Sequence, residues 1–307
     1  MLKMLSRQGD APLPAALLGS KLGIDRVSVR EHMRKLQELG YAIRSTSTGY
    51  RLLPCSDSLF PWEFPRWETQ FEHFPLLDST MRRAKELAKG GCPHFTIVAA
   101  DRQTAGRGRM GRSWLSEQGG LHFTVVTRPD IAPKSVNRLG FAASVCLVRS
   151  LYALYGVETR IKWPNDILLQ NRKLCGILCE MEVEADSIRF LNIGIGINVN
   201  SMPEGRELDA VSIRQILGRK VHRRDILNRF LEEFEAELEH NRYEELLSEW
   251  KRYAATLNKR VRVVTYRDTI EGRAIGIDDS GALLVELPDK TCRKIFYGDC
   301  FHTSVTG

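Results

Sequence analysis

The sequence has no apolar run long enough to cross a bilayer. Its greasiest stretch, Leu139 to Tyr155, is interrupted by Arg149 and falls short of the ~18–20 apolar residues of a spanning helix, so it reads as a buried helix. The opening residues, MLKMLSRQGD, hold no apolar core of the length a secretory signal needs. No C-x-x-C pair occurs among the seven cysteines (55, 92, 146, 175, 179, 292 and 300), which are odd in number and scattered. Neither a disulfide framework nor a zinc site is indicated. Cys175 and Cys179 stand four apart, a ligand-like spacing, but KLCGILCEM is apolar and favours two thiols acting as small hydrophobes. A cytoplasmic protein with no membrane partner is expected. There is also no fibrous repeat, and the composition is not that of a disordered chain.

What is present is a soluble globular composition: 43% hydrophobic and 27% charged residues over 307 positions. That length suits about two domains and a sizeable core. The net charge of +7 is uneven. Residues 1–54 carry nine Lys and Arg against four acids, a surplus of five, and the rest of the chain is nearly neutral. A locally basic segment can supply an electrostatic footprint for nucleic acid.

Within that segment Leu18 and Leu22 have helical spacing, Gly23-Ile24-Asp25 makes a turn, and Val29, Met33 and Leu36 share one face of a second helix that stops at Gly40. Tyr41-Ala42-Ile43 and Tyr50-Arg51-Leu52 look like two strands around a Ser/Thr/Gly turn. Helix, turn, helix and β-wing is a winged helix-turn-helix pattern. Arg26, Arg30 and Arg34 form a stripe that can lie along phosphates, with Ser28 and Arg30 near base edges. The same stripe fits a solvated basic face; the turn and wing favour DNA.

Residues 55–75 read as a linker, rich in proline with Pro61, Pro65 and Pro75, and with Trp62 and Trp67 that are expected to pack on something. Residues 76–258 form the large middle. Helices are expected over Ser79–Lys89, Asn137–Tyr155 and Asp225–Ala255, the last broken near Asn241. Strands are expected at Thr96–Ala100, Leu121–Thr127, Thr159–Trp163, Ile167–Leu169, Leu174–Val183 and Ile188–Val199. Hairpin-length turns between several of them argue for antiparallel pairing and an α+β fold. Residues 259–307 carry four short alternating segments, which suggest a small barrel.

Three blocks carry chemistry. Gly106-Arg107-Gly108-Arg109-Met110-Gly111-Arg112-Ser113-Trp114 follows an expected strand and reads as a mobile loop, since alternating glycine weakens helix and strand alike. Its guanidinium groups suit a carboxylate or phosphate, and Trp114 offers an apolar plate. In Lys162-Trp163-Pro164-Asn165-Asp166 and Lys173-Leu174-Cys175-Gly176-Ile177-Leu178, a lysine at a strand start suits a negative charge that grows in a transition state. Asn165 and Asp166 can bond a sugar or hold a metal; a plain Pro-Asn-Asp turn bordered by exposed lysine fits the first block equally well. Gly194-Ile195-Gly196-Ile197-Asn198 places glycine inside a strand, which implies close backbone approach.

GRGRMGRSW after Asp101-Arg102-Gln103-Thr104-Ala105, then KWPND, KLCGIL and GIGIN, together resemble the signature of the biotin protein ligases. With the N-terminal winged helix-turn-helix, the whole chain resembles the bifunctional biotin ligase and biotin operon repressor family. The resemblance implies a central class II synthetase-like mixed or antiparallel sheet with helices and a C-terminal SH3-like β-barrel. It also implies synthesis of biotinyl-5′-adenylate from biotin and ATP with Mg2+, then transfer of biotin to a lysine of a biotin carboxyl carrier protein. The bound adenylate favours a homodimer that binds operator DNA and represses biotin genes.

By that resemblance Ser79, Thr80, Gln103 and the backbone near Arg107 line the pocket for the biotin ureido ring; a helix N-cap is the alternative role of the two hydroxyls. Met81 stands in the same pocket where asparagine is frequent. Arg107, Gly108 and Arg109 match the biotin-binding loop, Gly176 belongs to the same site, and Arg109 steadies the adenylate. Arg112 and Trp114 match the loop end that closes over it, while Lys162, Asn165, Asp166 and Asn198 belong to the ATP site. Lys173 matches the family's essential lysine, which contacts the biotin carboxylate and the α-phosphate; Lys173 and Arg109 are the catalytic pair. No metal ligand is assigned, and Tyr297–Ser304 lacks the arginine sought near the nucleotide. Two alternatives stay open: a lipoate–protein ligase, against which GRGRMGR and KWPND weigh, and a ligand-sensing DNA-binding regulator without ligase activity, against which Lys173 and Arg109 weigh.

Overall fold

The structure is a computed structural model that describes residues 1–38, 41–53, 57–201, 210–240 and 243–303. The helix stop expected at Gly40, the linker's Cys55, the break near Asn241 and Ser304 lie outside these residues. No described helix is long and apolar enough to cross a membrane.

The N-terminal unit is α1 (Leu2–Arg7), α2 (Ala15–Leu22), α3 (Arg26–Glu38) and the antiparallel hairpin β1 (Ile43–Thr46) and β2 (Gly49–Leu52). Gly23 ends α2 at φ 66°, a left-handed conformation that costs glycine nothing. The Asp25 carboxylate accepts the Ser28 N–H at 2.7 Å, starting α3 at once, which makes the turn tight. Leu5, Leu13, Leu18, Val29, Met33 and Ile43 form its core. The first wing strand begins at Ile43, not at Tyr41 as the pattern suggests. The Tyr41 ring turns away to stack on Phe60 at 4.0 Å, and Phe60 stacks in turn on Trp62 at 4.8 Å.

The proline-rich connection is packed, as its aromatics led one to expect: Leu59, Phe64 and Trp67 are buried in the main core. Its last residues differ from expectation. Phe71–Leu77 forms β3, a strand that Pro75 makes read as a break in the sequence. β3 is an edge strand, the position in a sheet where proline is tolerated.

The middle unit continues with α4 (Thr80–Lys89), β4 (Thr96–Gln103), β5 (Leu121–Thr127), α5 (Asn137–Tyr155), β6 (Thr159–Lys162), β7 (Asp166–Leu169), β8 (Arg172–Glu184) and β9 (Ser187–Ile197). It closes with α6 (Ile213–Leu217), α7 (Arg223–His240) and α8 (Tyr243–Tyr253). The seven strands lie in the order β3-β4-β5-β9-β8-β7-β6, all antiparallel except the β3–β4 pair. Alternation sorts the two faces. Phe123, Val125, Ile193, Ile195 and Ile197 face α5 and α7, whereas Val98 and Val126 pack under α4. Eleven of the 19 residues of α5 are buried, so it lies between the sheet and α7 and α8 instead of on the surface. Arg149, the interruption in that apolar run, is neutralised by Glu237 at 3.1 Å and by Glu249.

A buried charge cluster ties the connection to the sheet. Arg223, 4% exposed, lies 2.9 Å from both Asp57 and Asp101, and Asp101 lies 3.1 Å from His73. Burial works against the Asp101 carboxylate, but the His73 and Arg223 contacts outweigh it and hold its pKa below the usual value.

The C-terminal unit is β10 (Arg260–Val264), β11 (Thr269–Ile277), β12 (Leu283–Glu286), β13 (Cys292–Ile295) and β14 (Asp299–His302), an antiparallel sheet in the order β13-β12-β11-β10-β14. The expected Asp278–Gly281 turn is present, with the Asp278 carboxylate accepting the Ser280 and Ala282 N–H groups.

Candidate active site

A cleft lies on the α4 face of the sheet, between the Gly/Arg loop, the strand ends of β6 to β9 and the C-terminal unit. Of the residues singled out for a small-molecule site, all but one line it. The exception is Asn198, which lies beyond the end of β9. Its N–H donates to the Leu174 carbonyl at 2.9 Å and its carbonyl accepts the Ile213 N–H at 3.0 Å, so its backbone joins β8 to α6.

One end of the cleft is neutral and polar. Ser79 occupies the N-cap position of α4 yet makes no side-chain capping bond. Its hydroxyl is fully buried and has no partner among the described residues, an arrangement that a bound polar group would relieve. Thr80 donates its N–H (2.7 Å) and hydroxyl (3.1 Å) to the Gln103 side-chain amide oxygen. Met81 packs its sulfur over Gly194.

The other end is cationic. Arg109 donates to the Asn165 side-chain oxygen and to the Gly298 carbonyl, both at 3.2 Å. Its burial lowers its pKa, against the opposing pull of the Asp299 and Asp166 carboxylates. Arg112 bonds Asp299 at 2.5 Å, Arg107 lies 3.5 Å from Glu180, and the Lys162 ammonium stands 6.0 Å over the Phe301 ring. Lys173 lies 3.2 Å from Asp166 and 5.4 Å over the Trp114 ring.

A β-bulge aims the lysine. Lys173 and Gly176 are three apart and in a regular strand would face opposite sides. The β7–β8 register slips between Ile167, opposite Cys175, and Leu168, opposite Lys173, leaving Leu174 extra. The bulge turns both residues into the cleft. Gly194 and Gly196 make the floor. A Cβ at Gly196 would stand 2.4 Å from the Trp114 indole nitrogen, so the ring sits directly on the strand backbone.

KWPND is largely a scaffold. Trp163 is buried with its indole N–H on the Gly281 carbonyl (3.1 Å), the Trp163–Pro164 peptide is cis, and Asn165 donates to the Ile177 carbonyl at 2.7 Å. Cys175 and Cys179 carry no ligand chemistry: burial pushes the Cys179 thiol up to about 12 and Cys175 higher. No cluster of three metal-ligating side chains occurs among the described residues.

Reading the sequence missed Asp299, Cys300 and Phe301, which β14 brings to the cleft, and Ser113 at the loop end. Nothing local in YGDCFHT marks the first three, because long-range packing against β10 carries them there.

On the N-terminal unit Arg26, Arg30 and Arg34 are exposed along α3, as the stripe requires. Arg34 pairs with Glu38, and no ion pair among the described residues engages Arg26 or Arg30. Ser28 is half-buried, in the first turn of the helix.

Comparison with known proteins agrees with this layout. Residues 73–200 match the biotin/lipoate A/B protein ligase family, residues 256–303 match the biotin protein ligase C-terminal domain, and residues 1–51 match a helix-turn-helix domain. The chain is 34% identical over 320 residues to the bifunctional ligase/repressor BirA of Bacillus subtilis, covering 97% of this chain and 96% of that protein. It is 29% identical to the Escherichia coli BirA over 88% of this chain and 86% of the relative. Among solved structures, the biotin protein ligase of Aquifex aeolicus in complex with biotin and ATP superposes with a TM-score of 0.66 at 26% identity, covering 76% of this chain and all but 1% of the other.

Proposed function

Because the chain belongs to the biotin protein ligase family, in its bifunctional ligase/repressor branch, we propose that it activates biotin with ATP, passes it to a protein lysine and represses transcription through its helix-turn-helix unit. The observation that carries the reading is the two-ended cleft. Buried hydroxyls at one end suit a neutral urea, and five cationic side chains at the other suit a carboxylate meeting a phosphate.

The chemistry joins two anions: a biotin carboxylate oxygen attacks the α-phosphorus of ATP, and the bond to pyrophosphate breaks. Lys173 and Arg109 are the catalytic residues in this reading. Each supplies a fixed charge to the oxygens on which negative charge grows, in a site shielded by Trp114. Ser79, Thr80, Met81, Gln103 and the Arg107–Gly108 backbone hold the ring end, with Gly176 below. Arg112, Lys162, Asn165 and Asp166 hold the nucleotide end. The acceptor lysine amine then attacks the mixed anhydride at its carbonyl carbon and adenylate leaves. The acceptor is a biotin carboxyl carrier protein.

Magnesium belongs with the nucleotide. Asp166 and Asp299, carboxylates on the cleft wall, would be the residues to hold it beside the phosphates. When bound it would offset charge on the departing pyrophosphate.

Arg26, Ser28, Arg30 and Arg34 read operator DNA in this proposal, and an adenylate-bound homodimer presents two reading helices to a two-fold site. The protein acts in the cytoplasm. The test is biotin-dependent ATP–pyrophosphate exchange with labelled biotin transfer to a carboxyl carrier domain, with lipoate as competitor. Gel shifts on DNA upstream of biotin genes, with and without biotin plus ATP, follow. Turnover of lipoate in place of biotin, or biotin binding with no exchange, overturns the ligase reading. A shift indifferent to biotin and ATP overturns the coupled repressor.

A further inference from the structure

Two buried hydroxyls that do not line the cleft are bonded to residues that do. Thr124, fully buried in the middle of β5, donates to the Thr80 hydroxyl at 2.9 Å. Thr80 donates onward to the Gln103 oxygen at 3.1 Å. That oxygen also accepts the Thr80 backbone N–H at 2.7 Å, and because a backbone N–H can only donate, the orientation of the Gln103 amide is fixed. Its nitrogen is therefore turned to the Ser116 hydroxyl, 2.7 Å away. Ser116, also buried, donates to the Trp114 carbonyl at 3.3 Å. Trp114 in turn donates its backbone N–H to the Gly106 carbonyl at 2.9 Å, closing the neck of the Gly/Arg loop.

The four side-chain bonds run in one direction, each group donating to the next, from the centre of the sheet to the loop. A hydroxyl among Val98 and Val126 has no place in an apolar core unless it is bonded, and Thr124 spends its hydrogen on Thr80. The relay leaves Gln103 one amide hydrogen, and the Ser79 hydroxyl in the same cleft has no partner among the described residues. One fixed N–H and one hydroxyl free to donate or accept are complementary to a urea, which carries a carbonyl acceptor and N–H donors.

We propose that Thr124 and Ser116 are positioning residues for the polar head of the substrate, acting through Thr80 and Gln103, and that Ser116 ties this setting to closure of the Gly/Arg loop. The proposal rests on the ligase reading above and extends it to two residues that never touch the ligand. Thr124 fixes Thr80 as a donor, which fixes the Gln103 amide. Ser116 holds that amide from its other end and carries the constraint to Trp114, whose ring lies beneath Lys173. Ordering of the ring end and placement of the cationic end are thereby parts of one network.

The experiment uses the full chain and reads KM for biotin, KM for ATP and kcat separately in pyrophosphate exchange. Thr124→Val keeps the shape and removes the donor. It is expected to raise the KM for biotin about tenfold, the loss of roughly one buried hydrogen bond, with the KM for ATP and kcat within twofold of the parent. Thr124→Ser restores the hydroxyl and is expected to return biotin KM to within twofold. Ser116→Ala is expected to raise biotin KM similarly and to change Trp114 emission. The double variant Thr124→Val/Ser116→Ala should cost less than the product of the two single effects, because both act on one amide. A biotin KM unchanged in Thr124→Val, equal effects of Val and Ser at 124, or effects of the two positions that multiply in full each overturn the proposal. A uniform fall in kcat with a lowered Tm does so too, since that is what a purely structural role produces. A parent protein that shows no biotin-dependent exchange refutes the ligase reading instead.

Discussion

Replacing Gly196 with alanine is expected to damage adenylate formation more than the same change at Gly194, two residues away on one strand face. Neither glycine has a positive φ, so the backbone accepts alanine and the outcome turns on space. At Gly196 the new Cβ would lie 2.4, 2.5 and 2.9 Å from three atoms of the Trp114 indole. Carbon contacts settle near 3.5–4.0 Å, so the ring must lift by about 1 Å. The indole is rigid and Lys173 stands over it, so the lift is passed to the ammonium. Overpacking of this kind costs ~1–3 kcal/mol, which corresponds to roughly a 5- to 150-fold loss in kcat/KM if the displacement is felt at the reacting atoms. At Gly194 the new Cβ would meet the Met81 sulfur at 2.5 Å and its Cγ at 2.9 Å. A thioether with three rotatable bonds yields more cheaply, and a loss of about fivefold or less is expected. Steady-state pyrophosphate exchange on both variants, with Tm to check folding, decides the matter. Equal losses, or a larger loss for Gly194→Ala with both proteins folded, refute the seating of Trp114 on Gly196.

Lys173→Ala should fold normally, since its contact with Asp166 is partly solvated and worth ~0–1 kcal/mol, while exchange falls at least about 100-fold; exchange at the parental rate removes Lys173 from the mechanism. Arg30→Ala should weaken operator binding and lower the magnitude of its salt dependence by about one ion while leaving ligation unchanged, and an unaltered salt slope measured by gel shift would remove Arg30 from the interface. His122 gives a pH prediction. Burial, then the Arg223 charge, depresses its pKa to about 4, so the folded protein keeps it neutral while the unfolded chain takes up a proton below ~6.5. Stability is complete above that pH and declines as pH falls from 6.5 toward 4, with about 2–3 kcal/mol lost by pH 4.5. Urea unfolding from pH 7.5 to 4.5 measures it, and a flat profile, or a His122 NMR midpoint above 6, contradicts the burial argument.

The sequence carried what is local. The β-branched and aromatic residues of β5, the long greasy run of α5 interrupted by Arg149 and the turn at Gly23 each announce an element whose own residues determine it. The glycines of GIGIN announced a close approach, and the Trp114 ring makes it. What stayed hidden depends on distant parts of the chain. β3 disappears behind Pro75 because proline reads as a break until the strand is known to be an edge. Asp299 and Phe301 acquire meaning only once β14 pairs with β10. The bulge at Leu174 that aims Lys173 is a property of two strands together, and no pattern within β8 reveals it. Asn198 shows the converse: a motif residue whose backbone holds the scaffold while the residues before it face the cleft.

The walls of the cleft come from residues as far apart as Ser79 and Phe301, held by two separate sheets. A chain whose C-terminal sheet has not docked lacks the wall that Asp299, Cys300 and Phe301 provide, so a ligand resting on that wall would favour the docked form. By linkage, a ligand at a hundred times its dissociation constant adds about 2.7 kcal/mol to the form that binds it. On the proposed reading, substrate supply would therefore act on the stability of the assembled molecule as well as on its rate.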